Sequence, residues 1–428
     1  MPDRSPICVR PCRPDEYPAY FATFADAFGV ELDEATRDAV TQMVGPDRLL
    51  AAFVADGGRA ATHASPGAAG ADARMAGLTS AYPTRLTIPG GDVSAAAVAG
   101  VGVSPTHRRR GVLTAMMRRQ LDDERQRGTI AAILWASEPS IYGRYGFGLA
   151  TWRAVVDTEP ERARFRDPTP AVGRVRIVDE DEASRLFPAI YERVRPHEPG
   201  FLARSPEWWR WRYLEDAPRR RDRGRLFRVA LELDGRPEGY AIYRLQTPFD
   251  DRGLPDGRLD VIDAQAATPA ATRELWQYLF GVDLVARVRA FRLGPDHPLL
   301  LTLADPRRLR LNLRDGLWLR LLDVPAALAA RRYAAAGTLV LDLADAFIPE
   351  NAGRWRLAAD VEDARAEPTS DPPDLALDAE ALGMAFLGGT SFGALLRAGR
   401  VTELAPDAAT RADALFRTPT APWCADDF

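Results

Sequence analysis

The residues best suited to chemistry lie at positions 101–111, where an apolar run ends in a loop that carries three consecutive arginines. Pro105 ends the strand because it has no N–H to donate. Helical periodicity begins after Gly111, and the backbone N–H groups at a helix start bind anions. Arg109 and Arg110 add guanidinium groups that grip phosphate with two hydrogen bonds each. This order favours a site for a phosphate-bearing cofactor over an exposed basic turn.

A second run, residues 136–148, follows an apolar strand and is dense in glycine and aromatic residues. The glycines allow tight turns of the backbone, and the aromatic rings can line a pocket. Either Tyr142 or Tyr145 could donate a proton to a leaving thiolate. In the alternative interpretation, Tyr142 packs in a core with its hydroxyl group hydrogen-bonded.

The C-terminal residues 423–428 form a third candidate region. A chain terminus is usually frayed, but Trp423 and Phe428 are two large aromatics that indicate an anchored tail. A free α-carboxyl group has a pKa near ~3.5 and is ionised at neutral pH. To act as a base, it would need a relay through water, or desolvation that raises its pKa.

These three runs resemble the GNAT superfamily and, within it, the Eis (enhanced intracellular survival) acetyltransferases. The GNAT cofactor pattern is Gln/Arg-x-x-Gly-x-Gly/Ala, and residues 109–114 fill it with Thr114 at the last small position. That departure matches the narrower Eis family. The resemblance extends along the whole chain in length and element order, and it is specific in the three runs.

The resemblance implies an acetyl-CoA-dependent N-acetyltransferase that works by direct transfer in a ternary complex. It implies that Tyr142 is the general acid that protonates the sulfur, and that the carboxylate of Phe428 is the general base. Ser137 and Glu138 are expected near the pantetheine arm. The full set of expected cofactor-binding residues is Val101, Gly102, Val103, Arg108, Arg109, Arg110, Gly111, Val112, Leu113, Thr114, Ser137 and Glu138.

By the same resemblance, the acceptors are polycationic amines: aminoglycosides, polyamines or lysine side chains. Asp26 and Asp427 are the expected substrate-binding residues, because an acidic pocket attracts cationic amines. Alternatively, Asp427 and its neighbour Asp426 form a solvated acidic tail. The resemblance also implies a homo-hexamer.

Composition narrows the remaining classes. A length of 428 residues indicates roughly two to four domains. The three cysteines do not form a disulfide framework, and the four histidines lack zinc-ligand spacing, so we expect no metal. The near-neutral charge gives no sign of nucleic-acid binding. No apolar stretch reaches the ~20 residues of a membrane span, and the N-terminus lacks a signal core, so we expect a cytoplasmic protein.

The elements that position these residues predict an α+β fold with two tandem GNAT-like units and a sterol-carrier-protein-like domain. Residues 1–152 form the catalytic unit, in the order β-α-β-β-β-α-β. Residues 153–304 repeat a similar order without a cofactor loop, beginning with a strand at residues 177–180. Residues 305–428 form the last unit and supply the C-terminal carboxylate. Residues 57–70 and 361–374 are predicted to be loops.

Two rivals to this function stay open: an acetyltransferase that acts on a protein or small-metabolite amine without relevant aminoglycoside activity, and a carrier protein. The apolar, glycine-rich run at residues 381–389 resembles a sterol-carrier segment, so the chain could be a lipid or small-molecule carrier with an inert GNAT scaffold. We favour the interpretation that this unit packs against the others and positions the tail. Residues 208–212 could stack on nucleobases, but a helix that is part core and part interface fits them better.

Overall fold

The computed structural model describes residues 7–55, 73–167, 169–216, 223–360 and 362–428. The predicted loop at residues 57–70 lies outside these ranges. The described residues form three mixed sheets with helices packed on them, which confirms the predicted α+β class. Within them, no helix combines the length and the apolar character needed to cross a membrane.

The first sheet holds most of the N-terminal unit. Its strands are β1 (Ile7–Pro11), β2 (Leu49–Ala55), β3 (Ala73–Ile88), β4 (Gly91–Val103), β5 (Ala131–Trp135) and β6 (Gly148–Leu149). Its helices are α1 (Tyr17–Phe28), α2 (Glu34–Val44) and α3 (Val112–Gln126).

Strand β2 is buried on both faces, and alternate side chains face different helices. Val54 packs in one cluster with Val112 of α3. Phe53 joins the cluster that contains Tyr20 and Phe21 of α1. Helices α1 and α3 therefore cover opposite faces of the sheet.

The second sheet has the order β13-β7-β12-β11-β10-β9-β8. These strands are β7 (Trp152–Thr158), β8 (Arg174–Ile177), β9 (Arg225–Leu233), β10 (Arg236–Gln246), β11 (Gly257–Ala266), β12 (Val285–Leu293) and β13 (Asn312–Asp315). Its helices are α4 (Glu180–Val194), α5 (Pro206–Trp208), which continues as a π-helical turn (Trp209–Leu214), α6 (Pro269–Phe280) and α7 (Leu299–Thr302).

The C-terminal part contributes β14 (Leu317–Leu321) and a five-stranded sheet of order β17-β16-β15-β18-β19. The sheet comprises β15 (Gly337–Ala344), β16 (Gly353–Ala359), β17 (Ala364–Pro368), β18 (Leu375–Asp378) and β19 (Val401–Glu403). The helices are α8 (Val324–Ala330), α9 (Ala379–Phe386), α10 (Phe392–Arg397) and α11 (Ala408–Phe416).

Two strands from the C-terminal part of the chain belong to the first and second sheets. β14 lies between β5 and β6 of the first sheet, and β13 pairs with β7 at the edge of the second sheet. Both strands fall in the predicted third unit. The division at residues 152/153 and 304/305 stays a prediction. The chain passes from the first sheet to the second between β6 and β7, and it returns to the first sheet only between β13 and β14.

Two local predictions are wrong. A strand was expected to begin at Ile177, but β8 ends there and α4 begins at Glu180. The Asp179 carboxylate accepts the Glu182 N–H at 2.8 Å, and this N-cap starts the helix. Residues 361–374 were expected to be a loop, but they contain β17. That strand lies at a sheet edge, where polar residues and a terminal proline are tolerated.

Candidate active site

The first sheet opens between β4 and β5. These parallel strands pair only from Ala95 opposite Ala131 to Val98 opposite Leu134, although β4 continues to Val103. The opening begins beside Gly100, whose φ of +60° lies at a register shift between β3 and β4. Among the described residues, the last part of β4 pairs with no strand on the β5 side, so its backbone groups are available to a ligand.

The start of α3 lies next to this opening. Gly111 has a φ of +89°, and it supplies no capping side chain to the helix. Arg109 is also left-handed, with a φ of +62°. Arg109 and Arg110 are exposed, and in the described part of the chain neither forms an ion pair. Because Val112 anchors the other face of the helix in the core, the first N–H groups of α3 stay free for an anion.

Other residues of the predicted cofactor loop have structural partners. The Arg108 guanidinium donates to the Val103 carbonyl at 3.4 Å and to the Ala27 carbonyl at 3.3 Å, so it ties α1 to the loop. A Cβ on Gly102 would lie 2.9 Å from that of Ala27, which explains the glycine there. His107 of the same loop is buried, with Nδ1 2.9 Å from the Thr106 hydroxyl.

A cavity of about 350 Å³ fills the opening. Its walls come from α1, α2, β3, β4, the segment after β5 and the second unit. Of the predicted site residues, Val101, Ser137, Tyr142 and Phe428 line it. Gly102, Val103, Leu113 and Thr114 lie outside this lining, as does the exposed Glu138.

The structure distinguishes the two candidate tyrosines. Tyr142 lines the cavity and is 5% exposed, and burial raises the pKa of its hydroxyl group. A hydrogen bond with Ser137 opposes that shift. The Tyr145 hydroxyl lies instead 3.1 Å from the Thr114 hydroxyl of α3, outside the cavity lining. Tyr142 is therefore the phenol placed to reach a bound ligand.

The C-terminal tail is anchored. The Trp423 ring packs on Phe201 at a centroid distance of 4.7 Å, and its indole N–H donates to Glu198 at 3.0 Å. Arg292 of β12 donates to the Ala425 carbonyl at 2.8 Å. The tail crosses the second unit in this way and ends with Phe428 in the wall of the cavity.

Asp426 fixes the tail in the core. It is fully buried, and one carboxylate oxygen accepts from Arg204 at 2.9 Å, Trp208 at 3.0 Å and Tyr213 at 2.7 Å. Arg204 also pairs with Asp263 at 2.6 Å. Asp426 is therefore neither a solvated acid nor part of the cavity wall.

The two predicted substrate-binding acids lie elsewhere. Asp26 is exposed on α1, and neither it nor Asp427 lines the cavity. The Asp427 carboxylate lies 3.1 Å from Arg292 and 3.8 Å from Arg212. Its charge is therefore already partnered, and the described lining does not form the acidic pocket expected from the sequence.

The sequence reasoning missed the contribution of the second unit. Trp211 and Arg212 of the π-helical turn line the cavity, whereas Trp208 and Trp209 are buried in the core. Residues 208–212 are thus part core and part interface. The cluster of aromatic residues in this run is the sequence signal for that role.

No group of three or more metal-ligating side chains occurs in the ranges that the structure describes.

Three family models match the chain. Two are described as acetyltransferase (GNAT) domains and cover residues 8–150 and 200–321. The third is a sterol carrier protein domain over residues 324–425. The predicted order of two GNAT units and a sterol-carrier-like unit is confirmed.

Relatives match over almost the whole chain. An uncharacterized N-acetyltransferase of Streptomyces avermitilis is 40% identical, covering 98% of this chain and 99% of its own. The N-acetyltransferase Eis of Mycobacterium tuberculosis is 34% identical over 96% and 97%. The crystal structure of Eis1 from Mycobacterium abscessus is 34% identical, with a TM-score of 0.81 over 98% of this chain and 100% of that one.

Proposed function

The chain belongs to the Eis family of GNAT N-acetyltransferases, and from this premise we propose which residues carry the reaction. Tyr142 acts as general acid, and the C-terminal carboxylate of Phe428 acts as general base. The observation that carries the proposal is that both residues line one cavity at the opening of the first sheet. The two residues are far apart in sequence, and a tail with a purely structural role would not need to end in the wall of this cavity.

GNAT acetyltransferases take the acetyl group from acetyl-CoA, which supplies it as a thioester. The diphosphate fits the start of α3, where free N–H groups, Gly111 and two unpaired guanidiniums meet. The strand end at residues 101–103 offers backbone groups that orient the pantetheine arm, beside Ser137 and Glu138. Thr114 and Leu113 belong to the first turn of the same helix and shape that cradle.

We assign the acid–base roles by the family resemblance, and the environment of Tyr142 supports its role as an acid. The Phe428 carboxylate takes a proton from the acceptor amine through water, and the freed nitrogen bonds to the acetyl carbon. As the carbon–sulfur bond breaks, Tyr142 gives its proton to the departing sulfur. Burial raises the pKa of Tyr142, so the phenol carries its proton at neutral pH. We propose direct transfer, since both groups face one cavity.

The amine as acceptor class follows from the family, and its finer identity is part of the proposal. The expected polycations would be drawn by Asp26 and Asp427, but these carboxylates lie outside the described lining. The homo-hexamer and the cytoplasmic location stay predictions from resemblance and composition. Light scattering of the purified chain tests the hexamer directly.

The test measures free thiol released from acetyl-CoA by the full chain with an amine acceptor. Tyr142→Phe and a chain extended by two glycines after Phe428 should each lose about 10²-fold or more in kcat, the usual contribution of general acid–base groups. Two residues add up to about 7 Å of reach, enough to displace the carboxylate. Because the sequence has no lysine, the enzyme's own side chains add no acceptor amine.

Tyr278→Phe is the control, because it removes a half-buried hydroxyl group of the second unit, 2.8 Å from the Tyr243 hydroxyl, and Tyr278 does not line the cavity. It should retain the wild-type rate. Full kcat in both the Tyr142→Phe and the extended chain would refute the assigned roles.

A further inference from the structure

The second sheet has an opening of its own, between the parallel strands β11 and β12. These strands pair only from Gly257 opposite Val285 to Val261 opposite Ala290, although β11 continues to Ala266. A cavity of about 200 Å³ fills this opening, and we call it the second-unit cavity. Its walls come from the turn after α4, from β11 and α6, from the segment after β12 and from the C-terminal tail.

The charge around this opening is the reverse of that around the cofactor loop. Helix α6 begins at Pro269, which has no N–H, and the Thr268 hydroxyl accepts the Ala271 N–H at 3.1 Å. The first turn of α6 contains neither arginine nor glycine. The described lining of the second-unit cavity contains no arginine, but it contains two carboxylates. These features disfavour a diphosphate and favour a cation.

The two carboxylates are those of Glu198 and Asp296, and neither forms an ion pair in the described ranges. Glu198 accepts the Trp423 indole N–H at 3.0 Å, and Asp296 accepts the Ala421 N–H at 2.8 Å. The second oxygen of each carboxylate has no donor among the described residues. Burial raises the pKa of Glu198 to about 7, and the negative charge of Asp296 adds to that rise. The two acids therefore act on the same space.

Two uncharged acceptors line the same cavity. Gln265 is only 6% exposed, and its Nε2 donates to Asp263 at 2.9 Å, but its Oε1 has no partner in the part of the chain that the structure describes. The buried Thr420 hydroxyl also has no partner there. Buried polar groups are normally hydrogen-bonded, so these two indicate a ligand with several donors. His297 adds no positive charge, because burial lowers its pKa to about 4.

The aromatic part of the wall narrows the class of cation. Trp276 of α6 and Trp423 of the tail both line the cavity. Indole rings attract cations, and a planar guanidinium also stacks on them. A monoalkylguanidinium carries five N–H donors, whereas an alkylammonium carries three. The larger number of donors matches the several acceptors of this lining.

We propose that the second-unit cavity binds a compact monoalkylguanidinium ion. Its N–H groups donate to the free oxygens of Glu198 and Asp296, and the indole rings supply the surface on which its plane stacks. The site is separate from the cavity that contains Tyr142 and Phe428, so the inference does not depend on the proposed function.

Calorimetry on the full chain without acetyl-CoA tests the ligand at pH 8, where the Glu198 carboxyl group is mostly ionised. Ethylguanidinium should bind with a Kd at least about 10-fold below that of ethylurea, a similar molecule without charge, and this ratio corresponds to ~1.4 kcal/mol. Ethylammonium, with fewer donors, should bind at least about 3-fold more weakly than ethylguanidinium. Absent binding of ethylguanidinium, or equal Kd values for it and ethylurea, would overturn the proposal. Tighter binding of ethylammonium would overturn the choice of guanidinium.

Variants of nearly equal size test the location. Glu198→Gln and Asp296→Asn keep an acceptor for the tail but remove the charge, so each should raise the Kd of ethylguanidinium at least about 5-fold. Asp283→Asn is the control, because this exposed acid precedes β12 and does not line the cavity. It should leave the Kd within about twofold, as should saturating coenzyme A. An unchanged Kd in both Glu198→Gln and Asp296→Asn, or displacement of ethylguanidinium by coenzyme A, would refute the assignment of this site.

Discussion

Asp426→Ala should weaken the fold and the catalytic rate together, because this carboxylate anchors the tail two residues before Phe428. It is fully buried and accepts hydrogen bonds from Arg204, Trp208 and Tyr213. The Tyr191 hydroxyl lies 3.3 Å from its other oxygen. The substitution removes the hydrogen-bond acceptor of all four donors at once.

The magnitude can be worked from these contacts. Arg204 keeps its ion pair with Asp263, so its charge is not left alone. The Trp208 indole N–H and the Tyr213 hydroxyl, however, lose the acceptor at Asp426, and each buried group without a partner costs about 1–3 kcal/mol. The two losses together cost about 2–6 kcal/mol. At roughly 2 °C per kcal/mol for a large domain, Tm should fall by at least about 4 °C.

Thermal unfolding followed by intrinsic fluorescence measures this loss, with Asp427→Ala as the neighbouring control. Asp427 is exposed, with a side-chain relative accessibility of 56%, and an ion pair of that kind contributes at most about 1 kcal/mol. Its Tm should therefore change by no more than about 2 °C. Equal Tm values for Asp426→Ala and the wild-type chain would refute the role of the anchor.

Activity separates anchoring from general stability. At 25 °C the folded Asp426→Ala variant should lose at least about 10-fold in kcat, because the Phe428 carboxylate is no longer held and general acid–base groups contribute about 10²-fold or more. Leu279→Ala removes a buried core side chain of α6 and should cost a comparable ~2–5 kcal/mol. It should keep its kcat, since Leu279 packs in a different core cluster from Trp423. If both variants lost kcat equally, Asp426 would have no positioning role.

Two further outcomes follow from single residues. Gly111→Ala should raise the Kd of coenzyme A in calorimetry about 5- to 30-fold, because a φ of +89° strains alanine by about 1–2 kcal/mol at the cradle. Gly128→Ala carries the same strain (φ +76°) at the other end of α3 and should bind coenzyme A normally. Burial raises the pKa of Glu198 to about 7, so the protonated form stabilises the fold at low pH and that stability is lost as pH rises through 7. Glu198→Gln should therefore gain about 1–2 kcal/mol over the wild-type chain at pH 8, after solvent screening of this half-buried group, and little at pH 4; equal Tm differences at both pH values would contradict this.

The cofactor loop could be predicted from the sequence because its signals are local. Pro105 after β4 and Gly111 before α3 fix where one element ends and the next begins, and both boundaries appear in the structure. The tail anchor is different. Trp423 and Phe428 predicted an anchored terminus. The ion pair that anchors it, however, joins Asp426 to Arg204, which lies 222 positions away in the sequence. Nothing in local spacing connects such residues.

The local sequence does not show where strands β13, β14 and β17 lie in their sheets, because their positions depend on the rest of the fold. β17 carries polar residues and ends in Pro368 because it lies at a sheet edge, where one side of the backbone faces no neighbouring strand. β13 and β14 carry ordinary strand residues, but tertiary packing decides that they join different sheets. An alternating pattern predicts a strand, but it does not predict which sheet that strand joins.

The proposed base at the end of the chain would make catalysis depend on the docking of all three parts. Tyr142 belongs to the first unit, Arg204 to the second, and Phe428 ends the chain after the sterol-carrier-like fold. Local opening of the tail would remove the base without disturbing the start of α3, so acetyl-CoA could bind to a chain that does not turn over. The buried pair of Arg204 and Asp426 therefore has a consequence beyond stability. We expect it to set the fraction of molecules in which both proposed catalytic groups face the cavity, so strengthening or weakening it should scale kcat while the affinity for acetyl-CoA stays constant.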